Sequence, residues 1–456
     1  MRGKKFSIGL KALAIFAVTL LVTGTWAATN WKEKALHNFG KGTDGWWPEA
    51  GLIFDAAGNL YGVTALGGPN GLGTVFELTP TAGGGWKENV LFGFNGTDGW
   101  APSGSLIFDA AGNLYGTTEW GGIYYDGNVF ELTPIGGGNW AETQLYSFNP
   151  NTGTDGASPY AGVIFDATGN LYGTTEYGGI YGHGTVFELT PNGSGGWTEQ
   201  VLHNFDGTDG SEPAGLIFDA TGNLYSTTGG GGAYGAGTVF ELTPNGSGGW
   251  TETVLYSFCS QPDCTDGLSP EAGLIFDAAG NLYGTTYSGG TYDAGTVFEL
   301  TPTGGGAWTE RVLHGFGKGT DGAGPSYYGK LIFDAAGNLY GMTLSGGAYG
   351  FGTAFELTPT AGGGWTEQVL YSFNNNGADG ISPFAGLTFD AAGNLYGTTW
   401  EGGIYSCGGA GSACGTVFEL SPVYSCAKCS HTADRELNVF PAERRDVLEQ
   451  GGIERQ

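Results

Sequence analysis

Seven aspartates, Asp44, Asp98, Asp155, Asp209, Asp266, Asp321 and Asp379, stand in copies of a G-T-D-G stretch or close variants of it. An acid beside glycine in a tight loop can present carboxylate and carbonyl oxygens to a calcium ion, but a calcium loop usually gathers several oxygen ligands, more than one of them a carboxylate. Each of these loops generally offers a single acid, so an Asx-type turn is the preferred reading and calcium the alternative. Apart from that alternative no cofactor is expected. Histidine chemistry is no better supplied. His37, His203 and His314 share one recurring position where Tyr or Phe stands in other copies, which marks strand-surface residues; His183 lies in a loop and His431 near the C-terminus. No two of them have metal-ligand spacing.

The 6 cysteines fall into close pairs, Cys259/Cys264, Cys407/Cys414 and Cys426/Cys429. In an oxidising compartment such pairs form short local disulfides, with metal binding as the alternative. CAKCSH at 426–431 lacks the histidine directly after the second cysteine that c-type haem attachment needs, which excludes haem. Residues 1–27 read as an export signal, with basic Arg2, Lys4 and Lys5, an apolar run from Ala12 to Val22, and small Thr25 and Ala27 where a signal peptidase would cut. That run is shorter than the roughly 18 to 20 residues of a membrane-spanning helix, and no second one occurs. The mature chain is therefore expected to be secreted or at the cell-envelope exterior, without a transmembrane segment.

What positions these residues is an internal repeat. GNLYG or GNLYS begins at Gly58, Gly112, Gly169, Gly222, Gly280, Gly337 and Gly393, at spacings of 53 to 58 residues. Each unit reads as four short strands between glycine-rich turns: a (LIFD), b (NLYGTT), c (GTVFELT) and d (WTEQVLYSF). In the DAAGN turn the Asp can accept hydrogen bonds from the turn backbone and Gly takes the left-handed conformation that closes the hairpin. The 91 glycines follow no three-residue period and the 14% aromatic content supplies apolar mass to bury, which excludes a collagen-like fibre and disorder. The formal charge of −28 belongs to the same pattern, since four acidic positions recurring in each unit make 28 of the 44 acidic residues. Charge spread so evenly argues against nucleic acid or anionic membrane as a partner.

Four strands in about 40 to 60 residues fit a propeller blade, whereas solenoid coils are usually shorter. The chain opens on NWKEKALHNF, a lone d strand at 31–39, and its last unit stops after c, at Glu419 to Pro422. The two orphans complement each other. The fold class is therefore all-β, a seven-bladed propeller of four-stranded blades over residues 28–422 whose last blade is closed by the N-terminal strand, leaving no unpaired interior edge. Residues 423–456 are expected to form a poorly ordered tail.

LIFDAAGNLYGTT followed by GTVFELTP resembles the GloVer tandem repeat of exported bacterial proteins, and more loosely the D-x-x-G-N-L-[YW] blades of sensor-type propellers. The resemblance covers roughly residues 31–422. It implies an exported, surface-associated protein and no activity that transfers to particular residues. Many relatives are expected to end in a sorting or anchoring segment; here the tail carries charges of both signs and no apolar stretch, a departure that counts against such anchoring.

Catalysis needs an unequal constellation, and most polar residues here recur in every unit. The reading is a monomeric, non-catalytic binding or scaffold module for a glycan or an extracellular protein; the alternative is a propeller enzyme of lyase or lactonase type with a metal at the central channel. Tryptophan suggests where binding occurs. Of the 13, Trp26 lies in the export signal and seven open d strands, leaving Trp46, Trp47, Trp100, Trp120 and Trp400. All five lie in d-to-a or b-to-c connections, which emerge on one face, and on neighbouring blades once the ring closes. With Tyr124, Tyr125 and Tyr405 they could form an aromatic platform on which sugar rings or an apolar partner surface stack, against the plain alternative of large rings covering glycine-rich loops.

Overall fold

A computed structural model describes residues 30–407 and 412–423. Among them the chain forms a seven-bladed all-β propeller with two single-turn 3₁₀ segments, Pro150–Thr152 and Pro262–Cys264. Blade 1 shows the pattern: strands a, b, c and d are Ile53–Phe54, Leu60–Thr64, Thr74–Pro80 and Trp86–Gly93, each antiparallel to the next. Blade 7 takes a, b and c from Thr388–Phe389, Leu395–Thr399 and Thr416–Val423, and its d strand is Asn30–Asn38. Closure by the N-terminal strand is thus observed, with Asn30 opposite Val423 and Asn38 opposite Thr416.

The recurring residues build the blade and its seams. In the a–b turn Asp55 accepts from the amides of Ala57 and Asn59, from the Asn59 side chain and from the Tyr61 hydroxyl, which also donates to Glu77 at 2.9 Å. Gly58 supplies the left-handed corner at φ 85°. Between blades, fully buried phenylalanines just past each d strand meet those on strand c of the next blade, as in Phe39–Phe76, Phe258–Phe298 and Phe373–Phe418, with centroids 5.0 to 5.1 Å apart. Tryptophans that open d strands lean on a tyrosine of the preceding blade, as Trp86 does on Tyr396. At the ring junction Pro48 packs against Gly415, whose φ of 90° and lack of Cβ leave the room, and Thr398 donates to the Ala50 carbonyl at 3.2 Å.

One feature of the mouth goes beyond four strands per blade. The d-to-a connections turn back and pair with prolongations of their own blade's strand b. Trp100–Pro102 pairs with Leu114–Trp120, Ser211–Pro213 with Leu224–Gly230, and Gly322–Pro325 with Leu339–Gly346. Shorter ladders or single bridges do the same in the other blades, such as Trp46 with Leu66. These ladders fix the residues that rim the channel.

Candidate functional site

The central channel encloses a cavity of about 830 Å³. Its wall is made by the starts of the a strands, including Leu52, Leu106, Val163, Leu216, Leu274 and Leu387, and its mouth by residues of the d-to-a connections and the ends of the b strands. At the mouth the repeat breaks down. Between the proline and the Ala-Gly that precede strand a stand Glu49, Tyr160, Glu271 and Phe384 in different blades, and just past the two threonines of strand b stand Glu119, Glu176, Gly229, Tyr287 and Trp400. Blade 6 carries two extra residues here, and they deliver Tyr327 and Tyr328.

These side chains sort into two arcs. The aromatic arc runs Trp47–Trp400 (centroids 5.4 Å apart), Trp400–Phe384 (5.7 Å) and Phe384–Tyr328 (5.3 Å), and ends in Tyr328 stacked on Tyr160 at 4.1 Å. Tyr327 lies parallel to Phe384 and against Tyr287. Since Tyr160 belongs to blade 3 and Tyr328 to blade 6, the stack spans the mouth; the Tyr160 hydroxyl continues to Glu49 of blade 1, donating to its Oε2 at 3.0 Å. Burial raises both tyrosines above their usual range.

The acidic arc comprises Glu49, Glu119, Glu176, Glu212 and Glu271, one from each of blades 1 to 5. Burial, and after it repulsion from the neighbouring carboxylates Glu176 and Glu49, pushes Glu119 up to about 7. Burial first, then Glu212 and Glu176, lifts Glu271 to about 8. Glu176 is raised by burial and by Glu212. Glu49 reaches about 7 through burial, partly offset by Tyr160 and by the nearby Trp400 indole. The indole nitrogen of Trp47 and Glu271 Oε2 are buried without a hydrogen-bond partner. Lys330, which lines the same cavity, stands where five of the other blades have glycine and blade 2 has Ser105; walls surround it while water still reaches it, and burial lowers its pKa.

The residues expected to form one aromatic platform are divided. Trp47 and Trp400 turn inward and open the aromatic arc. Trp100 and Trp120 face each other across a ladder on the rim of blade 2, 40% and 37% exposed, with Tyr124 and Tyr125 exposed on the adjoining loop. Trp46 and Tyr405 are instead packing residues, set against the core around Phe39 and Cys414. The acidic arc and Tyr160, Tyr327, Tyr328 and Phe384 escaped the sequence reading, although their signal was present as the positions where otherwise equal repeats disagree.

The seven G-T-D-G aspartates close loops. Asp44 accepts from the Gly40 amide at 3.0 Å and faces His37 Nε2 at 3.1 Å; Asp155 accepts from Asn149 and from the Tyr146 hydroxyl. Asp209, Asp266, Asp321 and Asp379 repeat this with His203, Tyr256, His314 and Tyr371, whereas Asp98, opposite Phe92, takes Asn95 instead. The recurring histidines are therefore partners of these carboxylates rather than plain surface residues. Among the described residues no three His, Cys, Asp or Glu side chains are grouped to hold a metal ion.

Cys259 and Cys264 form a disulfide in the connection between blades 4 and 5. Cys407 and Cys414 are buried, unbonded thiols that lie within hydrogen-bond reach of each other. The backbone register of their small hairpin sets Cys407 opposite Ser412. Cys426, Cys429 and the segments expected to form an export signal and, past Val423, a tail lie outside the described residues.

The model of the Gloeobacter/Verrucomicrobia repeat matches residues 20–162, 82–275 and 166–410. No curated protein matches the chain. Among solved structures, the extracellular domain of the one component system BT4673 from B. thetaiotaomicron aligns with a TM-score of 0.51 and 14% identity over 87% of this chain and 42% of that one. The extracellular domain of the hybrid two component system BT3049 from the same organism gives 0.49 and 13%, over 85% and 41%. The PQQ-bound aldose sugar dehydrogenase from Streptomyces coelicolor gives 0.37 and 14%, over 86% and 99%. The chain spans less than half the length of the first two, and at these identities the likeness is one of fold.

Proposed function

We propose, from the premise that this chain belongs to the Gloeobacter/Verrucomicrobia repeat family, that it is an exported, non-catalytic binding propeller whose channel mouth holds a glycan. The observation that carries this reading is the confinement of inequality to one place. Hydrogen-bonded turns and seams recur around the ring, while the mouth alone assembles different residues from different blades into an aromatic arc facing carboxylates. Aromatic faces stack on sugar rings and carboxylates accept from sugar hydroxyls, so the two arcs supply both halves of glycan recognition. Export is supported by the basic and apolar N-terminal segment and is in keeping with the extracellular domain that shares the fold.

A glycan array probed with the wild-type protein and with a Phe384→Ala/Trp400→Ala variant tests the reading. Wild type should retain a defined set of glycans and the variant should lose them while melting as a folded propeller. An array without retained glycans, or a variant with the same pattern as wild type, overturns it.

A further inference from the structure

The inequality of the mouth extends onto its outer rim at blade 2. In blades 1 to 6 the b–c loops share a G-G-x-x-x-x-G frame whose fifth residue turns left-handed. Gly71, Gly182, Gly235 and Gly350 hold that corner at φ 72° to 85°, and Asp293 holds it at 55°. Glycine does so without steric cost and aspartate tolerates it, whereas a large ring there is strained. Blade 2 places Tyr125 at the corner, at φ 69°, and leaves it 69% exposed, so packing does not offset the strain. Beside this loop Trp100 faces Trp120, where blade 4 pairs Ser211 with Gly230 and blade 6 pairs Ala323 with Ser345. The rim rings adjoin the acids of the mouth directly. The Trp120 indole lies within hydrogen-bond reach of Glu119, and the Tyr177 hydroxyl of blade 3 within that of Glu176, which lines the cavity.

We infer that this rim is a second set of sugar subsites, on which a glycan held at the mouth continues outward, and that the ligand is an uncharged polysaccharide bound along several of its rings. The inference rests on the glycan reading above and extends the ligand beyond the mouth. Trp120, Tyr125 and Tyr177 each present a partly exposed ring with an acid next to it in sequence. A pyranose has the matching form, with an apolar face to lie on the ring and hydroxyls at its edge to donate to the acid. The formal charge of −28 works against a second copy of this chain or an acidic polymer on the same surface, whereas a neutral glycan meets no such repulsion. Once the mouth holds one part of the chain, binding of the next rings at the rim is intramolecular, so affinity grows with chain length.

An array of β-glucan, xylan, mannan and chitin fragments of increasing length tests this. Within a retained series the half-saturating protein concentration should fall about tenfold or more from the shortest bound fragment to the longest. Trp100→Ala/Trp120→Ala and, separately, Tyr125→Gly should remove that gain and leave the shortest bound fragment held as by the wild type. Tyr125→Gly restores the residue of four other blades and relieves the corner, so it should melt at or above the wild-type temperature. A lower melting temperature would assign Tyr125 to packing and count against the subsites. Binding that does not depend on length, or a gain that survives both variants, overturns the rim subsites and leaves the glycan reading standing. Loss of the shortest fragment in both rim variants would show one site where two are inferred, and overturns them as well. An array on which no fragment is retained overturns both the subsites and the glycan reading.

Discussion

The two faces of the propeller are made by the same repeat and behave differently. On the face of the a–b turns the Asp, Asn, Tyr and Glu groups satisfy one another, and the arrangement seen in blade 1 returns almost unchanged in blade 6. On the mouth face no two blades present the same set of side chains, and several of the carboxyl groups there repel one another. Recurrence in this molecule marks groups whose partners lie within the blade or the next one.

The largest effect expected from breaking this division concerns closure. Removing residues 28–39 takes away strand d of blade 7 and exposes the edge of Thr416–Val423. The truncated protein should lose its single cooperative melt or melt far below the full chain, and a melt like that of the intact protein would show that closure contributes little.

Next come single rings. Phe258→Ala, in a recurring seam where the ring is fully buried, should cost about 3 to 5 kcal/mol in denaturant unfolding. Phe384→Ala, at the half-buried mouth, should cost clearly less while removing glycan binding. Similar losses from both would erase the distinction between seam and mouth. Between these in size, Cys259→Ala/Cys264→Ala opens a five-residue-separation loop and should cost about 2 kcal/mol.

The smallest effect sharpens the comparison, because one recurring group does not follow the rule. The glutamates near the start of the d strands each have a buried Oε1 without a partner, beside the G-T-D-G aspartate of the preceding blade. Burial, then Asp266, raises Glu310 to about 8; burial, then Asp321, raises Glu367 to about 7. A carboxyl whose folded pKa lies above its unfolded value binds more protons when folded, so its contribution favours the fold below the unfolded value and is lost as pH climbs through the folded one. Melting temperature should therefore fall between pH 5 and pH 8, and Glu310→Gln should reduce that fall. A melting temperature that rises over this interval would show that these carboxyls are satisfied in the fold.

The ring, its closure and the turn role of Asp55 were legible in the sequence because recurrence reports backbone geometry directly. GNLYG repeats because only glycine closes that corner cheaply, and NWKEKALHNF can be recognised as a d strand because six others exist. The mouth was less legible. Whether Trp46 or Trp47 turns inward depends on the ladder between Trp46 and Leu66 and on the positive φ of Trp47, neither of which a tryptophan count reveals. Glu49, Tyr160 and Tyr328 come within reach of one another only through the curvature of the closed ring, across 279 sequence positions between the first and the last of them.

The pairing of Asn30 with Val423 fixes more than closure. Both residues sit where the other blades make their c–d turns, on the side of the disc away from the mouth. A linker or carrier protein fused at either end of the propeller would hang from that underside. Displayed on a bead, a fibre or a cell in this way, the disc would stand with its channel mouth facing outward, whichever end carried the tether.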